Sequence, residues 1–303
     1  MSLKYPLLNS YLQLHFLVII WGFTAILGKL ISLDATEIVF YRTLIASVLL
    51  FFIVKLRRRE LRFDADSGKM MLTGFIIAVH WTLFFLSAQI ANISICLAGI
   101  ATASFWTSIL EPILTKRKFR LFEPILGIVA VIGISVVFDA VFDQYIGFLI
   151  AVASAMLAST FTVLNGKMVK KNDHYVISFY QMLGAFICTV LILVFSHLSA
   201  PNYPIDLIPE DWDVLWLAIL ALICTVYAYT ISIKLMHRLS AFVINLTINL
   251  EPVYGILLAL LIFGDSEFMG NSFYIGTGII LLSVLMYPLL SMIDRKFPEL
   301  KLK

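Results

Sequence analysis

Ten long apolar segments run through the sequence and decide which folds it can adopt. A helix of about 20 apolar residues spans the ~30 Å hydrocarbon core of a bilayer, whereas strands of a membrane barrel alternate polar and apolar residues. Hydrophobic residues make up 61% of the 303 residues and charged residues only 14%, against about 25% charged in soluble proteins. We therefore expect an all-α membrane protein with ten transmembrane helices. The expected spans are 12–33, 37–54, 70–89, 95–115, 122–138, 145–166, 175–197, 213–235, 240–263 and 271–291.

The basic residues predict the orientation of these spans. Most of the 22 Lys and Arg residues lie at the two termini and in loops 54–70, 115–122, 166–175 and 234–239, which ten spans would place on one side. The loops expected on the other side are acidic. Because cytoplasmic loops carry the excess of Lys and Arg, both termini are expected in the cytoplasm.

A repeated motif suggests that the chain is built twice. Thr107-Ser-Ile-Leu-Glu111-Pro112 recurs 140 residues later as Thr247-Ile-Asn-Leu-Glu251-Pro252. Two further matches, at similar offsets, pair Gly28-Lys29 with Gly166-Lys167 and Phe40-Tyr41 with Phe179-Tyr180. The expected repeats, 12–140 and 145–291, hold five spans each, and an odd number inverts the second copy. Inverted repeats are typical of transporters whose substrate site lies near the membrane midplane.

The Thr-x-x-x-Glu-Pro motif supports two interpretations. Thr and Glu four residues apart share a helical face, and the proline leaves a backbone carbonyl without its usual donor. Glu111 and Glu251 could line a cavity and bind a cation or carry a proton. Alternatively, the threonine or a protonated glutamate could donate locally to the freed carbonyl.

Other polar and aromatic residues inside the spans are candidates for the same cavity. The asparagines could bind substrate or hydrogen-bond to a neighbouring helix, and the histidine could relay protons or pack as a hydrogen-bonded core residue. The candidate cavity residues are Glu251, Asn245, Asn249, Thr247, Glu111, Thr107, Ser104, Trp106, His80, Trp81 and Tyr227.

Arg42 is a cation inside the second span. A guanidinium at that depth must find an anion or water. The sequence offers Glu37 nearby, Glu111 or Glu251 across the bundle, or a substrate carboxylate. The equivalent position of the second repeat is Gln181, so the charge itself is not duplicated.

Several function classes have no sequence signal. We find no P-loop, metal cluster or nucleophile elbow, so neither a cofactor nor an enzyme activity is expected, and transport would depend on a gradient. The net charge of +3 does not suggest nucleic acid, and the 3 cysteines are interpreted as packing residues.

The ordered set of motifs resembles the EamA-like family of the drug/metabolite transporter superfamily. The residues that carry the resemblance are Phe40-Tyr41-Arg42, Leu250-Glu251-Pro252-Val253, Gly264-Asp265 and Gly276, within ten spans in two repeats. The resemblance implies a carrier in the bacterial inner membrane that moves amino acids or similar metabolites, commonly outward. It also implies a central cavity lined mainly by spans 3, 4, 8 and 9, with spans 1, 2, 6 and 7 as gates.

The expected function is therefore an inner-membrane secondary transporter that exports amino acids or related small metabolites by alternating access. One alternative is a proton-coupled drug or cation exporter, and another, from a different class, is a membrane-embedded sensor or enzyme. The expected partners are a small-molecule substrate and the lipid bilayer, with a possible homodimer.

Overall fold

Helices form the regular structure of the described chain. The computed structural model describes residues 6–116, 118, 120, 122–140, 144–199, 205, 207–248, 250–264 and 270–296, and this part contains no strand. The helices are α1 (Pro6–Gly22), α2 (Thr24–Leu30), α3 (Ala35–Leu56), α4 (Ala65–Ile90), α5 (Ile93–Ile100), α6 (Ala103–Thr115), α7 (Phe122–Ala140), α8 (Tyr145–Met168), α9 (His174–Ser199), α10 (Asp213–Ile219), a π-helical segment (Leu220–Tyr227), α11 (Ala228–Leu235), α12 (Ala241–Ile248), α13 (Glu251–Phe263) and α14 (Asn271–Lys296).

Seven stretches of the described chain are long and apolar enough to cross a membrane. They are Leu7–Leu30, Ala35–Leu56, Ala65–Ile90, Ile93–Thr115, Tyr145–Met168, His174–Ser199 and Asp213–Leu235. The prediction of an all-helical, multi-pass membrane protein is therefore confirmed. The other three expected spans contain helices α7, α12 with α13, and α14, but they are not among these seven.

Four of the expected spans are interrupted, which the apolar pattern did not indicate. The first breaks at Phe23, the fourth at Ala101 and Thr102, and the ninth between α12 and α13. Pro252 occupies the first turn of α13, where a missing N–H has no cost, whereas Pro112 lies inside α6. The two Thr-x-x-x-Glu-Pro copies thus have different local structures.

The eighth span contains the π-helical segment, Leu220–Tyr227. The hydroxyl of Thr225 donates to the Leu220 carbonyl at 2.9 Å, five residues earlier. The Cys224 carbonyl accepts a hydrogen bond of 3.1 Å from the indole Nε1 of Trp21. Because a π turn inserts an extra residue into the helix, it changes which side chains after it face the bundle.

Glycines allow helices from the two halves of the chain to meet at their backbones. At the crossing of α4 and α9, a Cβ on Gly74 would clash with the Gln181 carbonyl, and a Cβ on Gly184 with the Met71 carbonyl. A second glycine contact joins α1 to α13, where Gly22 faces Gly255. Small residues at such crossings are typical of helix packing in membranes.

Contacts between the two halves occur at both ends of the bundle. At one end Asp213 accepts hydrogen bonds from the backbone N–H and hydroxyl of Ser32, at 3.1 and 2.5 Å, and Tyr41 donates to the Leu207 carbonyl. The contacts at the opposite, basic end join Arg59 to Asp173 in an ion pair of 3.2 Å, and the Tyr180 hydroxyl to the Arg62 carbonyl at 2.8 Å.

The α4–α9 crossing generates a stability prediction. Gly74→Ala should lower the free energy of unfolding by about 1–3 kcal/mol, because the new Cβ would clash with the Gln181 carbonyl and α4 and α9 would have to move apart. Gly68→Ala on the same helix is the matched control, since no atom lies within 4 Å of its Cβ position. Thermal unfolding of the purified protein in detergent measures both. Equal stability of the two variants would show that the crossing is not tight.

Candidate functional site

A cavity of about 90 Å³ lies between helices of the two halves. It is small, since an engineered cavity of about 150 Å³ holds a benzene molecule. Helices α1 to α6 form one part of its wall, and α8 and α11 to α13 form the rest. The polar side chains in the wall include Arg42, His80, Asn165, Tyr229, Asn245 and Glu251, and the aromatic ones include Trp21, Trp81, Phe84 and Phe161.

Arg42 is held in the cavity wall by one residue from each half of the chain. Its Nε donates to the Thr225 hydroxyl at 2.6 Å, and its Cζ lies 3.7 Å from the centre of the Trp81 ring. The side chain is only 2% exposed. Among the described residues Arg42 forms no ion pair, and its Nη1 has no hydrogen-bond partner. Thr225 lies within the π-helical segment.

None of the three carboxylates proposed as partners of Arg42 forms an ion pair with it in the described structure. Glu37 accepts a hydrogen bond of 3.0 Å from the Asp34 backbone N–H and caps the start of α3. Glu111 lies near the end of α6, outside the cavity wall. Glu251 lines the same cavity, and its charge is close enough to interact with that of Arg42.

Glu251 is the first residue of α13 and is 6% exposed. A carboxylate is favoured at this position, because unpaired backbone N–H groups give the start of a helix a partial positive charge. The break between α12 and α13 therefore places a helix start, with its carboxylate, in the cavity wall. No side chain in the described ranges donates a hydrogen bond to this carboxylate.

The threonines of the repeated motif bond to their own helices. Thr107 donates to the Ala103 carbonyl at 2.7 Å, and Thr247 to the Val243 carbonyl at 3.0 Å. Neither donates to the carbonyl that its proline frees. Thr107 also accepts a hydrogen bond of 2.7 Å from Asn245 Nδ2, which joins α12 to α6 across the two halves.

His80 joins α4 to α8. Its Nδ1 lies 2.9 Å from the Ser154 carbonyl and 2.8 Å from the Ser154 hydroxyl, which donates to the His80 carbonyl at 2.9 Å. This arrangement fits a neutral ring with the proton on Nδ1, so Nε2 is an acceptor. No group of His, Cys, Asp and Glu residues in the described part of the chain could hold a metal ion.

Three buried polar side chains next to the cavity form a closed ring of hydrogen bonds. Asn165 Nδ2 donates to the Tyr229 hydroxyl at 2.9 Å, the hydroxyl donates to Gln181 Oε1 at 2.7 Å, and Gln181 Nε2 donates to Asn165 Oδ1 at 2.5 Å. The ring joins α8, α9 and α11. Each residue satisfies the next, which removes most of the cost of burying them.

The structure brings together four of the eleven candidate residues in the cavity wall. They are Glu251, Asn245, His80 and Trp81. Thr107, Thr247 and Ser104 are buried outside the wall, and Trp106 and Glu111 are half-buried outside it. Asn249 lies outside the described residues, as do Asp265 and both chain ends.

Tyr227 is placed differently from the expectation. It is 46% exposed, and Tyr229 faces the cavity in its place. The π turn between residues 220 and 227 accounts for the change of face. Sequence reasoning also missed Asn165 and the wall contributed by α8, although a polar side chain in an apolar span was a usable signal.

The hydrogen-bond ring generates a prediction. Tyr229→Phe should lower the free energy of unfolding by about 1–2 kcal/mol, because it leaves Asn165 Nδ2 without its acceptor and Gln181 Oε1 without its donor. Tyr227→Phe removes the same hydroxyl from an exposed position and should change stability little. Thermal unfolding in detergent compares the two, and an equal effect would contradict a structural role for the ring.

Comparisons with known proteins agree with this architecture. The sequence model of the EamA-like transporter family matches residues 9–139 and, a second time, residues 145–287. An uncharacterized transporter of Archaeoglobus fulgidus is 24% identical over 265 residues, which cover 83% of this chain and 88% of that protein. One crystal structure of a protein has the same fold with a TM-score of 0.67 at 16% identity, covering 93% of this chain and 97% of the other.

Proposed function

Because the chain belongs to the EamA-like transporter family, we propose that this membrane transporter exports amino acids or related small metabolites across the bacterial inner membrane. The observation that carries the proposal is the polar cavity, which helices of both matched segments enclose. Transporter sites of this kind lie between repeats and combine helix breaks with buried polar groups.

The proposed architecture has ten spans arranged as two inverted five-helix repeats. Two separate matches to the family model support it, as do the seven candidate spans. The fourth and ninth expected spans, which are equivalent in the two repeats, are both interrupted, although at different points. The loop charges favour an orientation with both termini in the cytoplasm.

The proposed mechanism is alternating access. The contacts that join the two halves at the ends of the bundle include Ser32 with Asp213 and Tyr41 with Leu207 at one end, and Arg59 with Asp173 and Tyr180 with Arg62 at the other. Opening the cavity to one side would break the contacts at that end. An exposed ion pair such as Arg59–Asp173 contributes only about 0–1 kcal/mol, so opening the basic end costs little through this contact.

A transport screen tests the proposal. The purified protein is reconstituted into liposomes, and exchange of each of a panel of radiolabelled amino acids and small metabolites is measured against protein-free liposomes. We expect saturable exchange of one or more amino acids. If no solute exchanges, the transporter proposal is contradicted, and a sensor or enzyme becomes the better interpretation.

A proton-coupled drug or cation exporter is a second candidate, favoured by the carboxylate of Glu251 in the cavity wall. The same liposomes separate the two candidates when a pH gradient is imposed. A proton-coupled exporter accumulates lipophilic cations against their gradient, whereas the proposed carrier exchanges amino acids without accumulating cations.

The proposed orientation gives a labelling prediction. Ser199→Cys and Glu60→Cys are both at exposed positions, and the three native cysteines are buried, so the native thiols need no replacement. A membrane-impermeant maleimide should label Ser199→Cys in intact spheroplasts and Glu60→Cys only after the membrane is opened. The opposite pattern would reverse the orientation.

A further inference from the structure

We infer that the cavity binds the two charges of an amino-acid zwitterion at separate positions, the carboxylate at Arg42 and the ammonium at Glu251. The inference rests on the proposed function and names the ligand chemistry of that same site. Both residues line the cavity, one from α3 in the first half and one from α13 in the second.

Arg42 has the geometry of an anion-binding residue. The close contact of the guanidinium with the Trp81 ring and the hydrogen bond from Nε to Thr225 limit the movement of the side chain. This leaves the two terminal nitrogens, and Nη1 has no partner among the residues that the structure describes. A guanidinium end presents two parallel N–H groups, which match the two oxygens of a carboxylate.

Glu251 supplies the opposite charge from the second half of the chain. Its carboxylate is buried at the start of α13 and accepts no side-chain hydrogen bond in the described part of the chain. Asn245 lines the same cavity and donates through Nδ2 to Thr107, which leaves its Oδ1 as a further acceptor. An ammonium group has three donors and no acceptor, so it suits a carboxylate and an amide oxygen.

Two opposite charges that share a buried cavity without pairing indicate a third component between them. A bare amine would leave Arg42 unpaired, and a bare carboxylate would leave Glu251 unpaired, and an unpaired buried charge is costly. A zwitterion satisfies both and adds no net charge. The aromatic side chains of Phe84 and Phe161 in the wall are available for the remaining, apolar part of the ligand.

Matched sets of compounds test the two positions. Glycine, alanine and serine, which suit a cavity of this size, are each compared with the amine that lacks the carboxylate and with the acid that lacks the amino group. Displacement of a radiolabelled amino acid from the purified full-length protein gives the affinities. For the wild type, we expect each truncated compound to bind about 10- to 100-fold more weakly than its amino acid, the range of one charge-assisted hydrogen-bonded contact.

Two variants test the carboxylate position at Arg42 and the ammonium position at Glu251 separately. Arg42→Gln, which installs the residue of the equivalent position in the second repeat, should abolish the preference for the amino acid over the amine. Its preference for the amino acid over the acid should persist. Glu251→Gln should do the opposite. Lys170→Gln, on an exposed loop, removes one positive charge and should preserve both preferences.

Each outcome decides the inference. The inference is supported if each of the two variants loses only its own preference. It is overturned if a variant loses affinity equally for the amino acid, the amine and the acid. It is also overturned if the wild type binds the amine as tightly as the amino acid. The wild-type comparison needs no variant to fold. If the liposome screen finds another transported solute but no amino acid binds, the inference is wrong and the transporter function stands. If no solute moves, the proposed function itself has failed.

Discussion

The hydrocarbon core of the bilayer supplies no hydrogen-bond partner, so each polar group of a spanning helix must find one inside the protein. Arg42 is the most demanding of these groups, because its charge is permanent and almost fully buried. Trp81 from the first half and Thr225 from the second support it. Both halves therefore contact the guanidinium, but they leave its Nη1 without a hydrogen-bond acceptor among the described residues. In the proposed complex, the carboxylate of the ligand is that acceptor.

Departures from regular helix create the rest of the site. The break before α13 puts a helix start, and with it Glu251, beside the cavity. In the eighth span, Thr225 within the π-helical segment bonds to Arg42, and Tyr229 just after it bonds to its ring of amides. Close glycine contacts bring the two halves near enough for single hydrogen bonds, such as that from Asn245 to Thr107, to join them.

Much of the fold could be predicted from the sequence, because a long apolar segment satisfies its backbone hydrogen bonds in a bilayer by forming a helix. The candidate site could be predicted less completely. Glu251, Asn245, His80 and Trp81 were identified because polar or aromatic residues in a span are conspicuous, and the structure places all four in the cavity wall. Tyr227 was chosen as a site residue in place of Tyr229, because the face of a helical residue depends on the turns before it and a π turn leaves no mark on an apolar pattern.

The central claim is that Arg42 and Glu251 remain apart in order to bind a ligand between them. A structure of the full-length chain determined with alanine tests this directly, since the positions of the carboxylate and the methyl group give the orientation of the ligand. The account predicts the ligand in the cavity, with its carboxylate on Arg42 and its ammonium on Glu251. A direct ion pair between the two side chains, with no ligand in the cavity, would contradict it.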